Sequence, residues 1–483
     1  MHMNQIPKST RQLESIASKV TLVIAVLATT LILVLYMGDR SVFLDEANLI
    51  RNIYERSYSD LLNPLGYDQS APFLYLWLAK LSTSLGSTSI LYRLPSLIFV
   101  VGSIWIFRRL ARQLLQPVAA ITAMAMYASH ELVWRYATEC KQYGADVSSA
   151  IMLSYLTTNY PPNSPLRIAL WCVVGTLVQW LSMPAIIVLV GTTLYWLWRV
   201  QDGKLKLKPL LIIGFVWSMA LLFNYIEVLH PGMNSSHMQA YHEEYFFSLS
   251  GWESTRRSVL SYVRLLDKKT AVGMVTVSVM LLVGVYKGLR DRPSIALLLL
   301  SPILASMVLS ALGMYSLIER LLLFLLPLLI LLVGAGLDRL VAIESPRLRA
   351  ILLTLAVIGL MVAIQNRAGL RMLSEHPSDD LLTSMQVVDQ DGGKYPAYIS
   401  KLAYPTFYYY TNIHRKLTKR AIVVGVADHG LVQEIDQLMK ADTCWIILSH
   451  VDNLPAEANQ LADRYEILTE TKSSGTHCLL VVR

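Results

Sequence analysis

Two adjacent carboxylates, Asp45 and Glu46, are the residues of this sequence that could most directly do chemistry. They follow an apolar run, Val20 to Tyr36, that is long enough to cross a bilayer. Ionisable groups in a membrane are usually functional, although a solvated loop is the simpler explanation for carboxylates at its surface. A carboxylate here could act as a general base that takes a proton from a hydroxyl group. We therefore take Asp45 as the candidate base and expect Glu46 to orient the loop through a hydrogen bond or an ion pair.

Further polar groups lie on the same predicted side of the membrane as Asp45. Arg and Lys side chains could hold a phosphate that is either substrate or leaving group, and a lipid headgroup would supply that phosphate most simply. Asp68 is the next candidate base after Asp45. The residues considered for this site are Tyr67, Asp68 and Gln69 in the first loop, Arg135, Glu139, Lys141, Tyr143 and Asp146 around the second, His242 in the third, and Glu319 and Arg320 at the top of a late helix.

Several of these groups also have a structural explanation. The cations Arg135, Lys141 and Arg320 could extend to the membrane interface, where long basic side chains often lie. Glu319 could form an ion pair with a neighbour. The histidines of the third loop, such as His242, lack the spacing of a metal site.

Composition restricts the class of protein. The chain has 483 residues, of which 54% are hydrophobic and 16% charged, with a mean hydropathy of +0.45, as in a polytopic membrane protein. The net charge of +8 does not indicate nucleic-acid binding, because the Lys and Arg residues cluster in short loops between apolar runs. That distribution is typical of cytoplasmic loops.

Charge and hydropathy together predict about eleven membrane spans with the N-terminus inside and the C-terminus outside. Residues 71–85 are apolar but shorter than the roughly 20 residues that a span needs, so we interpret them as a helix at the outer interface. No cleavable signal precedes the first span, which is expected to remain as an anchor. The predicted spans are 20–36, 88–107, 117–129, 143–158, 168–181, 184–198, 209–228, 271–286, 293–312, 318–337 and 350–364.

The composition changes after Asn366, which divides the chain into a membrane domain, 1–366, and an extracytoplasmic domain, 367–483. The second domain is predicted to be a small α/β unit, because short strand-like runs alternate with helix-like segments at 430–439 and 455–464. The strand-like runs are 397–400, 421–426, 444–449, 465–469 and 477–482. The aromatic run Tyr408–Tyr410 is interpreted as packing or an interface belt rather than a sugar-binding platform.

Two cysteines of this domain leave an alternative open. Cys444 and Cys478 each lie in a predicted strand. If those strands are neighbours, a disulfide could form in an oxidising compartment. Otherwise the two residues are buried free thiols.

Several short motifs occur in a fixed order along the chain. They are the Asp45-Glu46 pair, the Pro-led helix that follows Ser70, Arg93-Leu94-Pro95-Ser96, the element Glu139, Lys141 and Tyr143, and Glu319-Arg320 followed by Pro327. Together they resemble the GT-C superfamily of membrane glycosyltransferases, and within it glycosyltransferase family 39, which includes protein O-mannosyltransferases and aminoarabinose transferases. The resemblance covers residues 20–340. It departs from the family at Ala71, where a basic residue is usual, at Gln142 and at Leu321, and these changes affect individual phosphate contacts more than the reaction class.

This resemblance implies an inverting transfer of a sugar from a polyprenyl-phosphate donor to an acceptor hydroxyl on a lipid, glycan or protein. Asp45 would be the base, Lys141 and Arg320 would bind the departing phosphate, and Tyr143 would lie nearby. Neither a cofactor nor an essential metal is expected. The implied location is a bacterial-type inner membrane with the site facing the periplasm.

Two other classes of protein remain as alternatives. A flippase or transporter of lipid-linked glycans would place its charges near the bilayer midplane, whereas here they lie at the outer ends of the spans. A non-catalytic subunit of a glycan assembly complex is the third interpretation.

Overall fold

The computed structural model of the chain describes residues 8–229, 242–248, 251–373, 380–425, 434–435, 442–449 and 461–482. Most of these residues are helical. The α-helices are α1 (Lys8–Met37), α2 (Leu44–Glu55), α3 (Phe73–Ser82), α4 (Ser89–Leu114), α5 (Pro117–Ala128), α6 (Glu131–Ala137), α7 (Tyr143–Asn159), α8 (Pro165–Leu181), α9 (Ala185–Gln201), α10 (Leu207–Asn224), α11 (Trp252–Arg264), α12 (Ala271–Asp291), α13 (Pro293–Ala311), α14 (Leu326–Val341), α15 (Pro346–Asn366), α16 (Leu381–Asp389) and α17 (Tyr404–Tyr408).

A helix lies at each of the eleven positions predicted to span the membrane. Seven of the helices among the described residues (α1, α4, α10, α12, α13, α14 and α15) are long and apolar enough to cross a bilayer. The others (α5, α7, α8 and α9) have 12 to 17 residues and are therefore about 18 to 26 Å long. The chain is thus a polytopic α-helical membrane protein. Helix α3 has ten residues and is too short to cross, as predicted.

Local sequence explains where many of these helices begin. Pro117, Pro165, Pro293 and Pro346 each open a helix, at a position where the missing N–H of proline costs no hydrogen bond. The side chain of Thr270 caps α12 by accepting a hydrogen bond from a backbone N–H of its first turn. The boundaries predicted from apolar runs are therefore close to those observed.

Helix α14 is the most enclosed of the candidate spans in the described structure. It packs closely against α12 at two glycines. A Cβ atom added to Gly284 would lie 1.8 Å from the carbonyl oxygen of Leu332, and one added to Gly336 would lie 2.1 Å from that of Met280. Small residues at such a contact let two membrane helices approach closely. This packing fixes the helix that follows the turn carrying Arg320.

Helices α2 and α3 share a hydrophobic core with the C-terminal part of the chain. Ile50 and Ile53 of α2 lie in the same buried cluster as Phe407, Tyr409 and other residues beyond 380. A second, larger cluster lies among the membrane helices. The end of the helix bundle next to the C-terminal part is called the sheet side below.

The C-terminal part contains a five-stranded sheet with the order β2-β1-β3-β5-β4. Strand β1 is parallel to both β2 and β3, whereas β3 and β4 are antiparallel to β5. All five predicted strands are therefore confirmed, while most of the two helix-like segments at 430–439 and 455–464 lies outside the described residues. The strands are β1 (Ala397–Ser400), β2 (Ile422–Gly425), β3 (Thr443–Ser449), β4 (Glu466–Ser473) and β5 (Thr476–Val482).

Cys444 and Cys478 are buried free thiols. Their strands are neighbours, as a disulfide would require, but Cys444 pairs with Val481 and Cys478 with Ile447. Because side chains alternate between the two faces of a strand, this odd offset places the cysteines on opposite faces of the sheet. The free-thiol alternative is the correct one.

Candidate active site

Asp45 and Glu46 lie in the first turn of α2 rather than in an irregular loop. The positive end of the helix dipole favours carboxylates at this position. Successive residues of a helix point about 100° apart, and the two side chains have different surroundings. The side chain of Asp45 is 34% exposed, whereas that of Glu46 is 1% exposed.

Arg320 forms an ion pair with Asp45, with Nη1 at 3.4 Å from Oδ2. Its side chain is 33% exposed, so both members of the pair face an open region. The prediction that Arg320 lies at the top of a helix needs correction, because residues 318–321 form a turn and a short 3₁₀ helix begins at Leu322. Pro327 fits this boundary, since proline is tolerated at the start of a helix.

Lys141 lies just before α7 and is buried, unlike a lysine that extends to the membrane interface. Its Nζ donates a hydrogen bond to the side-chain oxygen of Gln69 at 2.7 Å. Burial lowers the pKa of Lys141, while the nearby carboxylate of Asp45 acts in the opposite direction. The ammonium group of Lys141 is thus buried, bonds to the neutral amide of Gln69 and lies close to Asp45 and Arg320. Such a group is suited to bind an anion.

The loop that presents Gln69 has an unusual backbone. Tyr67 and Asp68 both have positive φ angles, 61° and 53°, which non-glycine residues rarely adopt. Asn52 holds the preceding residue, Gly66, by accepting a hydrogen bond from its N–H at 2.8 Å and donating one to its carbonyl at 3.1 Å. The ring of Tyr67 lies 4.4 Å from the guanidinium carbon of Arg51. Asp68 is exposed.

Glu46 has the positioning role that was predicted for it. Its carboxylate accepts two hydrogen bonds from the Arg93 guanidinium, at 2.7 and 2.8 Å, and one from the backbone N–H of Cys140 at 2.7 Å. Arg93 is equally buried. These contacts join the start of α2 to α4 and to the segment that carries Lys141. Glu46 is therefore committed to structure, whereas the side chain of Asp45 is about one-third exposed.

The Arg93–Ser96 motif has a visible function in this arrangement. Ser96 donates a hydrogen bond to the carbonyl oxygen of Lys141 at 3.0 Å. Arg93 meanwhile holds Glu46 and also donates to the carbonyl of Arg40 at 3.1 Å. One turn of α4 thus positions the backbone on both sides of the candidate site.

Glu139 belongs to a second ion-pair network. One of its oxygens accepts hydrogen bonds from Arg40 and Arg135, both at 2.8 Å. Although burial acts to raise its pKa, Arg135 and Arg40 together hold the pKa of Glu139 below the usual value. Arg135 is therefore paired with a carboxylate, and its side chain is 39% exposed.

Glu319 forms the ion pair that was one of its two predicted roles. Its partner is Arg367, a buried residue that also bonds to Glu131 at 2.6 Å. This contact anchors the turn next to Arg320. His242, from the third loop, lies near enough to Arg320 for the guanidinium to contribute, after burial, to a lowered pKa of the imidazole.

Tyr143 and Asp146 are buried in the first turn of α7, at the start of the predicted span 143–158. The ring of Tyr143 packs edge-on against Tyr136 at 4.7 Å between ring centres. Oδ1 of Asp146 has no hydrogen-bond partner among the described residues. Both residues thus lie on the Lys141 side of the site.

Sequence reasoning missed the basic partners Arg40, Arg93 and Arg367. Arg93 was recognised as part of a motif, but the motif does not name its partner. Arg40 and Arg367 carry no local signal beyond lying at the end of a predicted span. Each pairs with a carboxylate that is distant in sequence, and such pairs cannot be read from one sequence.

A cleft of about 640 Å³ opens on the sheet side of the molecule beside the start of α2. Phe43 and Glu46 form part of its wall, and the C-terminal part contributes Leu382 and Thr383. Among the described residues no group of three or more His, Cys, Asp or Glu side chains could hold a metal ion, and metal independence stays a prediction.

Comparison with known proteins gives the fold. No family model and no curated protein matches the sequence. The crystal structure of ArnT from Cupriavidus metallidurans bound to undecaprenyl phosphate matches with a TM-score of 0.53 and 12% identity, over 94% of this chain and 97% of that one. The apo structure of ArnT matches over the same shares with a TM-score of 0.50 and 12% identity. The chain has the GT-C fold, as predicted.

Proposed function

We propose that this membrane protein is an inverting glycosyltransferase that moves a sugar from a polyprenyl-phosphate donor to an acceptor hydroxyl. The observation that carries the proposal is the Asp45–Arg320 pair beside the buried Lys141. A carboxylate and two cations match the needs of such a reaction, in which a proton is removed from the acceptor and negative charge develops on the leaving phosphate.

In the proposed reaction Asp45 accepts the proton of the acceptor hydroxyl. The hydroxyl oxygen attacks the anomeric carbon from the face opposite the phosphate, the bond between that carbon and the phosphate oxygen breaks, and the configuration inverts. Lys141 and Arg320 neutralise the departing phosphate, with Tyr143 beside them. The 3.4 Å contact between Arg320 and Asp45 is longer than the 2.7–2.9 Å typical of charge-assisted bonds, so this contact is a weak one for a phosphate to replace.

Lys141 also bears on the departure from the family pattern at Ala71. Its ammonium group bonds to Gln69, two residues before Ala71, and so supplies a positive charge to the loop where the usual basic residue is absent. Similarity of fold to ArnT, whose crystal structure contains undecaprenyl phosphate, supports a lipid phosphate as the donor's carrier. The sugar remains open.

The proposed acceptor is a lipid, glycan or protein, which would approach the exposed side of Asp45. The distribution of Lys and Arg in the loops places the sheet side outside the cytoplasm. We therefore place the site at the periplasmic face of a bacterial inner membrane.

Two measurements on the purified protein test the proposal. Undecaprenyl phosphate should bind to the wild type, and about 10- to 100-fold more weakly to Arg320→Ala and Lys141→Ala, because each loses a charged contact to the phosphate. Arg256→Ala is the matched control, since Arg256 is an exposed arginine paired with Glu253. Release of undecaprenyl phosphate from a panel of polyprenyl-phosphate sugars should require Asp45.

The outcomes separate the roles of these residues. Asp45→Asn should bind the lipid phosphate as the wild type does but should release little of it from the sugar donor. Equal binding by Arg320→Ala, Lys141→Ala and Arg256→Ala would show that the two cations do not hold the phosphate. Movement of an intact lipid-linked sugar across vesicles by the Asp45→Asn variant would favour a flippase instead.

A further inference from the structure

We infer that the segment Tyr404–Ile413 of the C-terminal part positions Asp45, with Thr406 and Tyr410 as the positioning residues. The inference rests on the proposed function for Asp45. The segment consists of α17 continued by a π-helical turn, Tyr409–Ile413. Such turns are rare and often occur at functional sites.

Thr406 and Tyr410 hold both polar groups of the Val42 backbone, the carbonyl oxygen and the N–H. The N–H of Val42 donates a hydrogen bond to the hydroxyl of Tyr410 at 3.0 Å. The hydroxyl of Thr406 donates to the carbonyl oxygen of Val42 at 3.2 Å. All three residues are buried, so neither backbone group of Val42 could turn to water without loss of its partner.

Val42 directly precedes Phe43, the N-cap residue of α2. The carbonyl oxygen of Phe43 accepts the first hydrogen bond of this helix, from the N–H of Ala47 at 2.8 Å. Only Phe43 and Leu44 separate Val42 from Asp45. A rotation at Val42 would therefore move the first turn of α2 and the carboxylate that it carries.

The same segment also holds the far end of α2. The hydroxyl of Tyr408 donates a hydrogen bond to Glu55 at 2.9 Å, and the guanidinium carbon of Arg51 lies 4.1 Å from the centre of the Tyr408 ring. Phe407 joins the apolar cluster that contains Ile53 of α2. The helix is thus fixed at both ends by one element of the C-terminal part.

Asp45 depends on this support because its own side chain has little. Its carboxylate forms a 3.4 Å ion pair with Arg320, and the side chain is about one-third exposed. A general base must come within about 3 Å of the proton that it removes, and a displacement near 1 Å can cost about 10²-fold in rate. The position of the Asp45 backbone therefore decides whether the base can reach the acceptor.

The test replaces the two hydroxyl groups and measures turnover with the sugar donor. Tyr410→Phe and Thr406→Val should each lower kcat about tenfold and change KM for the donor much less, because Lys141 and Arg320 lie on segments outside α2. Tyr409→Phe is the matched control, since it removes a buried hydroxyl one residue away that is not bonded to Val42. It should behave as the wild type.

Two further readouts separate positioning from general destabilisation. In the background of Asp45→Asn, Tyr410→Phe should cause no additional loss of turnover, because the two residues act through the same group. Amide hydrogen exchange at Val42–Ala47 should accelerate in Tyr410→Phe and not in Tyr409→Phe. An equal loss in both backgrounds, or unchanged exchange at Val42–Ala47, would overturn the inference. The exchange measurement needs no sugar donor, so failure of the proposed function would be seen separately, as absence of turnover in the wild type.

Discussion

The neighbouring variants Asp45→Asn and Glu46→Gln should have opposite effects. Asp45→Asn should abolish most of the turnover and leave the protein as stable as the wild type. Glu46→Gln should make the protein much less stable, although it removes the same charge one residue away. The structure gives the reason, because the Asp45 carboxylate is about one-third exposed and loosely paired, while that of Glu46 is buried in a network.

The magnitudes follow from the contacts. The pair of Asp45 with Arg320 is 3.4 Å long and about one-third exposed, and such pairs contribute about 0–1 kcal/mol to stability. Glu46 accepts three hydrogen bonds at 2.7–2.8 Å from Arg93 and Cys140. In Glu46→Gln the new NH₂ group would face N–H donors of Arg93 and leave a buried guanidinium without full compensation. Breaking a buried pair in this way costs about 3–5 kcal/mol.

The two variants should rank in the opposite order when turnover is measured instead of stability. Loss of a general base typically costs about 10²–10⁴-fold in rate, and we expect a loss in this range for Asp45→Asn. Asparagine preserves the shape of the side chain, so binding of the lipid phosphate should survive. Glu46→Gln should lower turnover less than Asp45→Asn in the fraction of protein that remains folded.

Thermal unfolding in detergent and release of undecaprenyl phosphate from the sugar donor measure the two effects on the same samples. Asp45→Asn should unfold at the temperature of the wild type, and Glu46→Gln at a clearly lower one. If Asp45→Asn turned over at the wild-type rate, Asp45 would not be the base and Asp68 would be the next residue to test. If Glu46→Gln were as stable as the wild type, the buried pair would not hold the start of α2.

Three other predictions concern the parts around the site. His130 caps α6 with Nδ1 and bonds to the Leu265 carbonyl through Nε2. Burial lowers the pKa of its imidazole to about 3. Below a pH of about 6.5 the unfolded chain therefore binds a proton that the folded chain does not, and protonation favours unfolding. Stability should fall by about 1.4 kcal/mol per pH unit from that pH downwards, and thermal unfolding of His130→Asn, which keeps a cap, should depend less on pH. Cys444 and Cys478 should both react with a thiol reagent after denaturation without reductant, and a crosslinked pair would contradict their placement on opposite faces. A cysteine introduced after Asn366 should be labelled from outside the cytoplasm, and labelling from the inside would reverse the proposed orientation.

Much of the helical architecture was predictable because it depends on local signals. Apolar runs, flanking charges and prolines at helix starts located the eleven helices, although α1 begins 12 residues before its predicted span and α4 ends seven residues after its own. The five strands were also correct, since short runs of β-branched and apolar residues between turn residues are a local signal too. The helix α2 was missed, because its few apolar residues face the C-terminal part and are interrupted by polar residues.

The sequence predicted the residues of the candidate site better than it predicted the contacts between them. Asp45, Lys141 and Arg320 come from three distant parts of the chain, and the structure brings them together. The distinction between Asp45 and Glu46 could be anticipated from helical or extended geometry, which separates adjacent side chains. The partner of Lys141 could not be anticipated, because Gln69 is 72 residues away. It also follows two residues, Tyr67 and Asp68, whose positive φ angles are not predictable because neither is a glycine.

The residues proposed to act in the reaction share one feature that explains how the site is held. Each has a carboxylate neighbour in sequence that is tied to an arginine: Glu46 to Arg93 beside Asp45, Glu319 to Arg367 beside Arg320, and Glu139 to Arg40 and Arg135 two residues before Lys141.

A carboxylate bound to a buried or half-buried guanidinium fixes the local backbone, because separating the charges would leave one of them poorly solvated. The next residues along the backbone then project in another direction from a backbone whose position is fixed. Asp45 and Arg320 are each about one-third exposed, which fits side chains that are placed by their neighbours and left open to a ligand. The rigidity of the site therefore lies in the ion pairs next to the reacting groups, and variants of Glu319 or Glu139 should disturb the reaction through position rather than through lost chemistry.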